Sequence, residues 1–163
     1  MISIKNLEIL SNRKEEENLK FRSFLKNHAD EEELDKQFKI LHEKYFKIYD
    51  CSKCRNCCRK LGLLIEHDEL DKVCEYLNID KDEFIKNILI DKGDKYSSKS
   101  KKCLFLDGNT CKLEKCLPKS CIEYPYTNKE ERLFSLYGII SNASICPVVY
   151  EILEELKKEY KFR

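Results

Sequence analysis

The chain has 163 residues, enough for one ordinary domain that can bury a core without covalent staples. Its formal net charge of +1 with 37% charged residues leaves no overall field to draw a nucleic acid or an anionic membrane. No two of the four glycines (Gly62, Gly93, Gly108, Gly138) stand at the spacing of a dinucleotide fingerprint or a phosphate loop, which argues against a conventional nucleotide-binding enzyme.

The opening MISIKNLEIL has polar residues interleaved with apolar ones and does not read as a secretion signal, so the expected location is cytoplasmic. A charged, modestly amphipathic helix is expected over 12–27. A stronger one follows Asp30, with Leu34, Phe38, Leu41, Tyr45 and Ile48 on one stripe and acids crowding its first turn, running straight into Cys51. LGLLI at 61–65 is a short apolar run that suits a strand or a buried helical turn. Asp68 is the expected cap of ELDKVCEYLNI, and Asp80 with Glu83 has the spacing of a capping box before KDEFIKNIL.

KGDKYSSKSKK, 92–102, carries five lysines against one aspartate and reads as a solvated loop, not a phosphate-binding strip, because Tyr96 is its one aromatic. CLFLDGNTCKL alternates around Asp107-Gly108, a hairpin signal with Cys103 and Cys111 near the bases of its arms. Pro118 and Pro125 punctuate an irregular segment. Helical spacing returns in EERLFSLYGII and in PVVYEILEELKKEY, where Pro147 suits a first turn. The expected fold class is mainly α with a small β-hairpin, a helical domain with cysteine-rich metal-binding loops. Residues 1–50 form an N-terminal helical segment and 51–163 a cysteine-cluster domain, packed as one unit.

CSKCRNCC, 51–58, holds four of the ten cysteines in eight positions. In a reducing compartment such a cluster points to metal ahead of disulfides. A C-x-x-C turn reverses the chain over the distance two thiolates need to meet one ion, and both Cys51/Cys54 and Cys54/Cys57 have that spacing. C-x2-C-x2-C also opens ferredoxin-type cluster motifs, whose last cysteine precedes proline as Cys146 does here, far downstream. Cys58 is the awkward member: adjacent side chains project differently, so either Cys57 or Cys58 is a neighbouring non-ligand thiol or two centres lie close together. Cys74 reads as a small buried hydrophobe and Cys116 as incidental. The candidate ligands are Cys51, Cys54, Cys57, Cys58, Cys103, Cys111, Cys121 and Cys146, holding an iron-sulfur cluster or zinc in one or two centres.

Residues 51–147 resemble the YkgJ-like cysteine-cluster family of zinc- or iron-chelating domains. The resemblance is carried by C-x-x-C-x-x-C-C at 51–58, CLFLDGNTC at 103–111, PKSCIEYP at 118–125 and ICP at 145–147. It implies a metal-binding protein with a structural, redox or sensing role. The family's usual arginines before the proline and after the following cysteine are here Leu117 and Ile122, so a charge they would supply must come from elsewhere. Flagellin lysine methylases carry a similar motif, which makes a cluster-assisted protein-modifying activity the alternative. His28, His42 and His67 are scattered and form no recognisable catalytic arrangement, and no catalytic residue is assigned. The expected partner is a metal ion or cluster; neither a membrane nor a nucleic acid is expected.

Overall fold

The computed structural model describes residues 1–162. Helices α1 (Ile4–Arg13), α2 (Glu15–His28) and α3 (Glu31–Phe46) open the chain; α9 (Arg132–Asn142) and α10 (Pro147–Glu159) close it. Together, residues 1–50 and 125–163 make one compact unit and 51–124 a second.

In the helical unit, α3 packs on α9 and α10, and α2 on α9. Of the stripe predicted on α3, Leu34, Phe38 and Leu41 are buried, whereas Tyr45 is half-buried and Ile48, beyond the helix end, is exposed; Leu136 and Ile139 of α9 and Val149, Ile152 and Leu156 of α10 are buried as well. Asp30 caps α3 as its position implies, its carboxylate accepting the Glu33 N–H at 3.0 Å. The helix expected over 12–27 is instead two, broken at Lys14, and α3 stops at Phe46 before a turn, short of Cys51.

The second unit begins with two short helical turns, α4 (Cys51–Cys54) and α5 (Asn56–Lys60). Next come strand β1 (Leu64–Glu66), a single 3-10 turn at His67–Glu69, helices α6 (Leu70–Leu77) and α7 (Lys81–Ile88), and strands β2 (Leu89–Asp91) and β3 (Lys95–Ser98). LGLLI therefore supplies a strand. The residue that starts the following helical stretch is Glu66, in a reciprocal box with Glu69, and not Asp68. Asp80 does cap α7, accepting the Glu83 N–H at 2.8 Å.

The lysine-rich 92–102 segment is more than a loop. Its β3 is the centre of an antiparallel sheet ordered β1-β3-β2, pairing Ile65 with Tyr96 and Leu89 with Ser98. Alternation there is hidden because the strand's residues are all only half-buried. The DG hairpin forms as β4 (Leu106–Asp107) and β5 (Thr110–Cys111), and the proline-flanked segment contains a short helix, α8 (Lys119–Glu123). Leu63, Ile65, Leu70, Val73, Phe84, Leu106 and Leu113 form this unit's core. Cys74 and Cys116 are buried in it; the Cys116 thiol lies 3.8 Å from the Lys72 carbonyl. The whole is mainly α with small antiparallel strands.

Candidate metal centre

Four cysteines sit on the α4–α5 knuckle because Arg55, between the two turns, takes a left-handed conformation with φ 50°. Its N–H closes the first turn on the Cys51 carbonyl at 3.0 Å. Cys51 is exposed, while Cys54, Cys57 and Cys58 are half-buried. The Cys57 and Cys58 sulfurs lie 3.9 Å apart. A tetrahedral ion with sulfur ligands at about 2.3 Å has an edge of about 3.8 Å, so adjacency in the chain does not bar this pair from one ion. Both residues lie in the short helical turn α5.

The other thiols are brought up by backbone and side-chain ties. The Cys103 N–H donates to the Cys58 carbonyl at 2.8 Å, fixing the start of the hairpin segment to the knuckle. Cys111 stands opposite Leu106 on β5. Cys121 rides on α8, which is pinned to the β1 region by the Lys119 N–H donating to Glu69 (2.7 Å) and the Ser120 hydroxyl donating to the Leu64 carbonyl (2.6 Å).

Electrostatics tie these thiols into one neighbourhood. Hydrogen bonding with Cys57, then the Arg55 and Arg59 charges, hold the Cys58 thiol down at about 6 against the opposing effect of burial. Burial pushes Cys103 up, with Cys58 and Cys111 adding negative charge. Cys121 is exposed in outline, yet the atoms packed around its thiol desolvate it, and with the charges of Cys103, Cys58 and Cys111 they push it up to about 11. Among the described residues, no three His, Cys, Asp or Glu side chains converge into a ready-made cage. The donor chemistry nevertheless suits a borderline or soft metal.

Of the eight predicted ligands, seven belong to the 51–124 unit. Cys146 belongs to the helical unit, where it is buried at the head of α10. Leu117 packs against the apolar core and Ile122 is exposed, so the cations beside the thiols are Arg55 and Arg59. The Arg55 Nε is buried without a hydrogen-bond partner, and its guanidinium is 3.8 Å from Glu114. Sequence reading passed over Arg59, Asn109, Glu69 and Ser120; only the turn chemistry of Asp107-Gly108-Asn109 hinted at any of them.

A small, mainly helical chain with a crowd of thiols on one unit has the donor set of a thiolate metal chelator. The family model described as "CxxCxxCC: Putative zinc- or iron-chelating domain" matches residues 50–146, more than half of the chain, and the chain belongs to that family. No curated protein and no solved structure matches it. No described helix is long and apolar enough to cross a membrane.

Proposed function

We propose that the 51–124 unit binds zinc or iron in a thiolate centre in which Cys57 and Cys58 share one metal atom. Ligands from Cys103, Cys111 and Cys121 complete it, and Cys51 and Cys54 stand on the adjoining turn as further candidates. The carrying observation is the 3.9 Å sulfur separation, which suits two thiolates on one tetrahedral metal. That arrangement fits zinc, a single iron, or a two-iron cluster, which places two cysteines on each iron; a four-iron cluster takes one thiolate per iron. The centre would fasten the knuckle, hairpin and α8 to one another, and in its iron forms it would also carry an electron or sense oxidants, inside a cytoplasmic protein.

Anaerobic purification with metal and sulfide analysis and a visible spectrum tests this. Stoichiometric zinc in a colourless protein, or iron with thiolate charge-transfer bands, is the expected result. Protein that holds no stoichiometric metal, even after anaerobic reconstitution, overturns it. Single serine replacements give the ligand set: Cys57→Ser and Cys58→Ser each lose metal, whereas Cys74→Ser and Cys116→Ser retain it. Cys146→Ser is read in the same assay, and retained metal removes it from the ligand set.

A further inference from the structure

The α4 turn, Cys51–Cys54, is only four residues long, and three of its carbonyls accept from two side chains outside it. Asn109, at the tip of the β4–β5 hairpin, donates its amide nitrogen to the Ser52 and Lys53 carbonyls at 3.1 and 3.2 Å. Arg59, on α5, donates from one terminal nitrogen to the Cys54 carbonyl at 2.6 Å and from the other to the Asn109 Oδ1 at 2.7 Å. Every carbonyl from 52 to 54 is thereby tied into one network with the hairpin tip. Side chains from segments about fifty positions apart meet on the backbone of the cysteine knuckle.

Both residues are exposed, and neither is needed to bury the unit's core. Their bonds fall on the stretch between two cysteines and on the hairpin that ends in a third. We propose that Arg59 and Asn109 form a latch that locks the CSKC turn to the 106–111 hairpin and so holds the thiols of both segments at the spacing a shared metal requires. They are positioning residues, acting through the backbone and not as ligands. This rests on the metal reading above.

Thiolate side chains on a loose knuckle must be re-ordered each time the metal binds, and they part from it more readily. Partners that orient metal ligands raise retention for that reason. Asn109 also explains itself chemically. An amide can accept from Arg59 and donate to carbonyls at the same time; a carboxylate can only accept, and would face the Ser52 and Lys53 oxygens with like charge.

The test uses the full chain with Asn109→Ala, Asn109→Asp and Arg59→Lys. Metal release to excess chelator is followed by absorbance or a chelator dye, and amide exchange over 51–58 is followed in the metal-free protein. Asn109→Ala and Asn109→Asp are expected to release metal roughly 10- to 100-fold faster, and Arg59→Lys to fall between them and the parent. Amides of the knuckle should exchange faster in the alanine variant even without metal. Should Asn109→Ala prove unstable, Asn109→Asp, which keeps the Arg59 bond, gives the same readout. A metal-loaded parent whose variants release metal at the parent rate overturns the latch alone. A parent chain that holds no metal overturns the metal reading and the latch's role with it.

Discussion

Gly62 follows the cysteine knuckle with φ +70°, and a Cβ built there would lie 2.4 Å from the Ser100 carbonyl oxygen and 2.6 Å from the Ser98 hydroxyl. Ser98 Oγ in turn accepts the Leu63 N–H at 2.9 Å and donates to the Ser100 carbonyl at 2.7 Å. Glycine is thus required twice over, by backbone conformation and by close approach of the Ser100 backbone just past β3. Gly62→Ala should destabilise the 51–124 unit by about 2 kcal/mol or more, since left-handed strain adds to a backbone clash. Urea unfolding followed by exchange within β1 and β3 measures this; an unchanged midpoint contradicts it. The glycine was plain in the sequence, but its reason was not, because Ser98 and Ser100 are more than thirty positions away.

At the scale of elements, helix starts divide into those with a local signature and those without. Asp30 and Asp80 cap the helices that follow them; the Asp80 cap was read from the sequence because cap and N–H are three residues apart, whereas the expected Asp68 cap gave way to Glu66. Helix α9 has no such local cap: its Glu131 N-cap is left-handed and makes no capping bond with its own side chain. The carboxylate of Asp35, on α3, accepts the Glu131 and Arg132 N–H groups at 2.8 Å each. Asp35→Ala should cost about 1–2 kcal/mol, comparable to losing a local cap, and should raise exchange at the start of α9 before that of its middle. Exchange that rises uniformly along α9, or not at all, would refute that role. Periodicity found the helix; nothing local could show that its N-terminus depends on a residue nearly a hundred positions earlier.

For the molecule as a whole, charge pairs join helices of the 1–50 and 125–163 unit. Lys44 and Tyr45 of α3 both bond Glu155 of α10, and Lys157 of α10 bonds Glu17 of α2 at 2.5 Å and Asn18 at 3.1 Å. Bonding to Lys44, and then to Tyr45, holds Glu155 below its ordinary value of 4.5, and Lys157 does the same for Glu17. Their folded values lie below the unfolded one, so the stabilisation is complete above about pH 4.5 and is lost as pH falls through the folded values. Glu155→Gln should cost about 1 kcal/mol at neutral pH and flatten the acid limb of the stability curve. Helical circular dichroism in urea at several pH values checks this, and parallel acid limbs for parent and variant would refute it.

What was readable in the chain rests on short-range physics. The main helices, the Asp80 cap, the Asp107-Gly108 hairpin and the dense thiol cluster each depend on residues within a few positions of one another, and each is present as expected. The chemistry of the cysteines was equally local, and CSKCRNCC with its downstream companions identified the family. The tertiary structure decided the rest. It made a central strand of the lysine-rich segment, because pairing on both sides can hold half-buried polar residues in a sheet. It set the Cys57 and Cys58 sulfurs 3.9 Å apart, which depends on side-chain rotamers and not on spacing. It also brought Asn109 and Arg59 together on the carbonyls of the knuckle. Hydrogen bonds between distant segments leave no periodicity behind, and these residues became legible only once the chain had folded.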